Sequence, residues 1–476
     1  MNIFSKTSGT FLLLAASLAA CSTVHENQHI ISLPMQERQI TFTPKNHVLD
    51  NNDNFSPDGR FLCYDTRGTV YNEDIGNSKT IEKVEIATGE ETVLWDPPSI
   101  TGERAAPGVG AVSYHPSKDE VIFIHGPDTA EVRERGYYAK PNRTALAVAA
   151  DGSRRHHRVD RRDVTHDPTP AGAHRGGTHR HEYCRDGSRI GFTYDDYLVR
   201  NIDRTIGFMQ PGRQVPAGYT HYFAVILTPA EKGKALPGEI EKAYGDSWVD
   251  SAGTLRAFIG KVRQEKGNGY DYDLFVAGIP KDLDITTAFA GTKEEYPRPP
   301  EGIVIRRLTH GMHVGGIVRG SYDGTRIAFA AQDPAGTGRL FIIRADGSEE
   351  TPRKVTRLPK PVEALRWHPS GEWVLFLSDG DVMAAYVGEE HPFGTLVKLS
   401  EGKKARQQLV LSPDGTLAAC DIATPTENDR GEIIKDATGH DFRQIWIMQI
   451  DWRKVDEAMM RYLPAGKQEA MRGWPV

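Results

Sequence analysis

The chain reads as an all-β protein: a seven-bladed β-propeller with long inter-strand loops in the middle blades and a short C-terminal helix. Three observations predict this: a hairpin motif that recurs seven times, a second set of turn signals in a fixed place after it, and a wealth of turn formers, 47 glycines and 29 prolines in 476 residues. The motif is an aromatic or small residue, a proline or polar residue, a tight turn of the Asp-Gly kind, and then alternating apolar residues. Clear copies are Phe55-Ser56-Pro57-Asp58-Gly59, Tyr114-His115-Pro116-Ser117, Tyr183-Cys184-Arg185-Asp186-Gly187, Ser321-Tyr322-Asp323-Gly324, Trp367-His368-Pro369-Ser370-Gly371 and Leu411-Ser412-Pro413-Asp414-Gly415. A degenerate seventh, Asp250-Ser251-Ala252-Gly253, fills the longest gap. In each, the turn pair supplies a positive φ and the alternation after it gives a strand with one buried face.

Spacing between copies runs from about 45 residues in the last blades, the usual length of a four-stranded blade, to nearly 70 in the middle, where the surplus must form loops. The second turn series, Ala87-Thr88-Gly89-Glu90, Ala150-Asp151-Gly152-Ser153 and Ala345-Asp346-Gly347-Ser348, falls where a blade's third and fourth strands should meet. A two-domain β-sandwich explains the turns but not their register. The expected propeller covers 39–464, with Asp451 to Tyr462 as a short amphipathic helix and 465–476 as a tail.

The N-terminus reads as a secretion signal. Lys6 precedes an apolar core from Phe11 to Ala20, which ends in Leu18-Ala19-Ala20-Cys21, a sequence that resembles a lipobox. On that resemblance Met1 to Ala20 is removed, Cys21 is acylated, and 21–38 is a lipidated linker. Ser22 in the next position points by analogy to the outer membrane of a Gram-negative envelope. Of the four cysteines, Cys63, Cys184 and Cys420 remain, which excludes a disulfide framework. A net charge of -6 argues against nucleic acid as a partner, and a monomer is expected. There is no P-loop, dinucleotide fingerprint or Gly-x-Ser-x-Gly elbow.

Candidate chemistry gathers in the second and third repeats. His179 and His181 alternate with Arg180 just before a hairpin, and residues two apart on a strand share a side, so one metal ion between two imidazoles is the expectation. Gly176-Gly177 before them permits close backbone approach. His125 follows the apolar run Val121-Ile122-Phe123-Ile124, at a strand end where it can act as a base. Arg143 offers a carboxylate a rigid fork of donors. His115 and His368 fill one repeated slot before proline, so packing between blades is their expected role. The basic run Arg154-Arg155-His156-His157-Arg158, with Arg161 and Arg162, reads as a solvated face able to steer an anion.

The hairpins resemble the repeats of TolB-type propellers. Gln39-Ile40-Thr41-Phe42-Thr43-Pro44, Phe123-Ile124-His125-Gly126-Pro127, Arg175-Gly176-Gly177-Thr178-His179-Arg180-His181, Ile240-Glu241-Lys242-Ala243-Tyr244 and the stretch from Trp367 to Trp373 resemble the YidR-like family over most of the chain. Oligogalacturonate lyases are a more distant resemblance, carried by His125-Gly126-Pro127, Arg143, Thr178-His179 and Thr220-His221, with His310 and His313 near that family's metal cluster but not reproducing it. The resemblance implies β-elimination on acidic, uronic-acid oligosaccharides with a divalent metal ion (manganese, zinc or calcium). His179, His181 and His313 would then be ligands, Arg143 would hold the carboxylate, and His125 or His221 would take the proton. The competing expectation is a non-catalytic TolB-like propeller, an envelope scaffold or a module binding a glycan, protein or peptide.

Overall fold

A computed structural model describes residues 28–68, 74–100, Gly102 and 106–461. Seven sheets form the blades of one disc. Blade 1 has strands Phe61–Asp65, Ile81–Glu85 and Glu91–Trp95, and its inner stretch, 48–56, is tied on by the bridges Val48 to Asp65 and Phe55 to Leu62. Blade 2 is Val109–Tyr114, Glu120–His125, Thr144–Ala149 and His156–Arg158; blade 3 is Gly177–Tyr183, Ile190–Asp195, Thr205–Gln210 and Tyr222–Val225. Blade 4 has the long strands Ile240–Trp248, Leu255–Arg263 and Tyr270–Gly278, with Val304–Arg307 outside. Blades 5, 6 and 7 begin at Val314–Gly320, Glu363–Trp367 and Arg406–Leu411. Every repeat motif sits at the turn between a blade's first and second strands, the degenerate Asp250 copy included.

The seams hold the core. Each of the seven contacts between neighbouring blades is filled by its own buried apolar cluster, for example Leu62, Tyr64 and Val84 of blade 1 against Val410, Ala419 and Ile447 of blade 7. The motif's aromatic residue adds a polar tie in two of them. Trp248 Nε1 donates to the Glu182 carbonyl of the preceding blade, and Trp367 Nε1 to that of Arg319, both at 2.9 Å. The slot histidines do pack between blades. A Cβ on Gly187 would lie 2.7 Å from the His115 ring, and one on Gly415 2.2 Å from that of His368, so the glycine turn of the next blade exists only because it has no side chain. The predicted helix is Trp452–Met460, capped by Asp451 and buried through Val455 and Met459. A second helix, Thr129–Arg135, lies in the long loop of blade 2.

Closure of the ring uses residues read above as linker. Ile30–Ser32 pairs in parallel with Leu396–Lys398, as a fifth strand on blade 6, and Glu37–Gln39 pairs antiparallel with Arg443–Gln449, as the outer strand of blade 7. The chain then enters blade 1, so one segment ties three blades. Arg406, fully buried, grips Glu37 through both carboxylate oxygens at 2.7 and 2.8 Å. Burial pushes the Glu37 carboxyl up, but Arg406 and Lys404 outweigh it and hold it below its ordinary value. Cys63, Cys184 and Cys420 are buried in blades 1, 3 and 7 and are not joined to one another. The signal segment, Cys21 and the tail 465–476 lie outside the described residues.

Six inner strands share a feature the repeats did not announce. In blades 2 to 7 the first strand slips register midway, and a residue there takes a left-handed conformation: Ala111 (φ 52°), Arg180 (61°), Gly245 (64°), Gly316 (74°), Ala364 (54°) and Gln408 (54°). These bulges bend the strands around the central channel. Glu37→Ala should lower stability by about 3 kcal/mol, because it strands a buried guanidinium, and chemical denaturation would measure it. A loss under about 0.5 kcal/mol, the size of a surface substitution, would show that the ring closes without this pair.

Candidate functional site

Inner strands run from an upper face to a lower one, where the motif turns lie. His125 ends the second strand of blade 2, Arg143 precedes the third, His179 lies early in the inner strand of blade 3, and His313 precedes that of blade 5, so all four belong to the upper face. His221 does not join them. It precedes the outer strand of blade 3, its amide donates to the Val159 carbonyl at 3.0 Å, and its charged neighbours are His157, Asp160, Lys118 and His115.

Arg143 and His179 do come together. Thr178 N donates to the Arg143 carbonyl at 3.2 Å, and the approach rests on the glycine pair: a Cβ on Gly177 would lie 1.9 Å from the Lys140 carbonyl oxygen, and one on Gly176 2.1 Å from that of Asp195. Arg143 is 5% exposed, its guanidinium lies 5.1 Å from the centre of the Tyr138 ring, and its Nε and Nη1 have no hydrogen-bond partner. Burial, then Arg204, lowers its pKa, and no carboxylate is paired with it. His179 is pushed well below the usual imidazole range by burial and then by Arg143, Arg204 and Arg180, so the ring is neutral at pH 7, and its Nδ1 has no partner. Burial raises the Tyr138 hydroxyl, which keeps its proton.

The other expected ligands are engaged elsewhere. The bulge at Arg180 falls between His179 and His181 and breaks the alternation on which their shared side was read. His181 Nε2 bonds to Thr178 Oγ1 at 3.0 Å, Thr178 donates to Asp160 at 2.7 Å, and His174 lies 3.0 Å from the same carboxylate. Because the threonine proton goes to Asp160, His181 Nε2 carries the proton it donates, and burial brings its pKa down to about 4. His313 stands exposed two blades away, on a groove of about 380 Å³ between blades 5 and 6. His125 bonds through Nδ1 to the Gly126 carbonyl at 2.8 Å and faces Trp95 of blade 1. A divalent cation does not fit this arrangement: Arg143, Arg204 and Arg180 all act on His179, of which Arg204 is paired with Asp195 at 2.6 Å, and among the described residues no group of three or more His, Cys, Asp or Glu is placed to hold an ion. The basic run is largely spoken for as well. Arg155 pairs with Asp151, Arg158 with Asp128 and Arg161 with Asp163, while Arg162 is buried against the Pro141 and Gly176 carbonyls.

Sequence reasoning missed Tyr138, which sits in an insertion without a repeat register, and Arg204, on the second-to-third loop of blade 3. A family model described as "Protein of unknown function (DUF3748)" matches residues 108–223, the blades that carry Arg143 and His179. "Uncharacterized protein YidR" of Escherichia coli strain K12 is 32% identical over 410 residues, 79% of this chain and 93% of that one. The chain belongs to the YidR family. Among solved structures, the family member described here resembles an oligogalacturonate lyase in complex with manganese, at 11% identity and a TM-score of 0.47 over 88% of this chain and 97% of that one. A puromycin-hydrolyzing peptidase of Mycobacterium tuberculosis gives 11% and 0.47 over 83% of this chain, which spans about half, 53%, of the peptidase. Neither protein's chemistry passes to this chain at such similarity.

The neutrality of His179 is open to measurement. Its ring resonance in a proton NMR titration should stay unprotonated from pH 8 down to pH 5. A midpoint near the ordinary 6.5 would mean that the arginines around it are compensated.

Proposed function

We propose that the upper mouth at blades 2 and 3 binds the carboxylate of an acidic, uronic-acid oligosaccharide and cleaves the sugar by β-elimination without a metal. One observation carries the reading: a buried guanidinium, Arg143, with unpartnered donors, beside a neutral imidazole whose Nδ1 is also unpartnered. Arg143 pairs with the carboxylate and neutralises charge that builds up as the adjacent carbon loses its proton. His179 Nδ1 takes that proton. The electron pair left behind forms the new double bond as the glycosidic oxygen departs, and the Tyr138 hydroxyl returns a proton to it. The cationic surroundings of His179 keep its ring unprotonated at neutral pH, the form that can accept a proton.

Incubation with acidic oligosaccharides in the presence of a chelator, followed through the ultraviolet absorbance of unsaturated uronates, tests this. Turnover should fall about 10²–10⁴-fold in His179→Ala with binding kept, the usual worth of a general base, whereas Arg143→Met should lose binding itself. Binding without turnover in the native protein would leave the glycan-binding module as the account; neither binding nor turnover removes the reading altogether.

We also propose that the chain is exported and held in the cell envelope by a lipid on Cys21, a reading supported by the lipobox resemblance. Metabolic labelling with palmitate should mark the protein and not Cys21→Ala. Label retained in that variant would exclude this anchor.

A further inference from the structure

Aligned on their turns, the repeats share a slot just before Tyr183, Trp248, Gly320 and Trp367, occupied by Glu182, Ser247, Arg319 and Arg366 in blades 3 to 6. That slot faces the axis, so arginines far apart in sequence meet in the central channel. Arg319 and Arg366 are 5% and 7% exposed. Arg366 spends Nη1 on the Leu365 carbonyl at 2.8 Å and Nη2 on that of Asn51 at 3.2 Å, has no carboxylate partner, and leaves Nε unpaired. Arg319 reaches Glu182 only at 3.7 Å and also leaves Nε unpaired. The side chain of Arg180, on its left-handed bulge, has no hydrogen bond or ion pair among the described residues. All three line one cavity of about 340 Å³.

The carboxylates on the lining are outnumbered: Asp50 and Glu363 share the cavity with the three arginines, and neither forms an ion pair with any of them among the described residues. Glu182 is drawn to Ser247 at 2.9 Å and Arg256 at 3.4 Å, and Asp50 is held by Arg67 at 2.6 Å. Asp53, pushed up to about 6 by burial and by Glu182, is mostly ionised at neutral pH, but it forms no ion pair with Arg319 or Arg366 among the described residues. Buried cations without counter-charge are costly to keep, and convergent guanidiniums match the oxygens of an oxyanion in both charge and geometry.

We infer that the axial channel is a binding site for a small oxyanion of the sulfate, phosphate or carboxylate class, clamped by Arg180, Arg319 and Arg366. This goes beyond the mouth reading and does not depend on it. The anion is either free in solution or the far acidic group of a ligand seated at the mouth, and both present the same chemistry to the arginines.

The test is calorimetric titration and thermal unfolding of the full chain with sulfate, against chloride at matched ionic strength. Saturable sulfate binding at one per chain is expected, with an upward shift in melting temperature that chloride does not give. Arg366→Met and Arg180→Gly should each weaken it at least tenfold. Glycine also relieves the left-handed strain, so Arg180→Gly should melt higher than the native protein without sulfate while losing the sulfate-dependent gain, a pattern that misfolding cannot imitate. Arg143→Met disables the proposed mouth and should leave sulfate affinity unchanged. Competition by an acidic oligosaccharide would make the anion a group of that ligand; its absence would make it a separate oxyanion. No sulfate effect beyond chloride, binding that survives both channel variants, or binding lost with Arg143 alone would overturn the channel site.

Discussion

A disc of blades has no end unless its first and last sheets are joined, and here every seam depends on that closure. Seven apolar clusters lie in series around the ring, so opening one seam leaves two blade faces exposed to water and releases the curvature that presses the others together. Residues 30–39 prevent this by edge pairing on blades 6 and 7 before the chain passes into blade 1. Hydrogen bonds alone would close the ring with strands of three residues each. The buried Arg406–Glu37 contact fixes their register, because a shift by one residue would turn Glu37 away from the guanidinium.

With the frame closed, the upper mouth and the channel share one electrostatic character. Arg143, Arg180, Arg319 and Arg366 come from blades 2, 3, 5 and 6, and none has a short carboxylate contact. Elsewhere several buried arginines pair closely with a carboxylate, Arg67 with Asp65, Arg175 with Asp196 and Arg256 with Asp246, while Arg189 is held by carbonyl and amide oxygens. What distinguishes the channel arginines is convergence, since Arg180, Arg319 and Arg366 line one cavity. The shared cationic character accounts for the mismatch with a divalent cation, since the charge that collects around His179 is already positive.

Local signals made the fold legible. Asp-Gly turns act through the backbone preferences of their own residues, and a motif repeated seven times averages out the ambiguity of any one copy. Legibility failed where the cause is not local. The closing strands are three residues long, too short for alternation to show, and they fall in a stretch that the lipobox had already explained as a linker. The bulges escaped because Ala111, Arg180, Ala364 and Gln408 carry no preference for positive φ; the ring imposes it on them. That single effect undid the His179–His181 pairing, since two-residue spacing shares a side only on a regular strand. His179 was found as half of a His-x-His alternation and Arg143 as a fork of donors at a position resembling the lyases, and the glycine pair before His179 announced close backbone approach. Arg319 and Arg366 were not found, although once the copies are aligned they share one slot, just before Gly320 and Trp367; Arg180 sits on its bulge two residues ahead of that slot.

The six bulge residues have a wider consequence. Ala111 and Ala364 pack on apolar clusters, but Arg180, Gly316 and Gln408 belong to none of them, and what they present ranges from nothing at Gly316 to the long cationic arm of Arg180. A substitution at Arg180, Gly316 or Gln408 alters what the axis presents without disturbing the apolar contacts that hold the blades together. Such a ring uncouples ligand preference from folding, and a lineage built on it can explore new specificities while its scaffold stays constant.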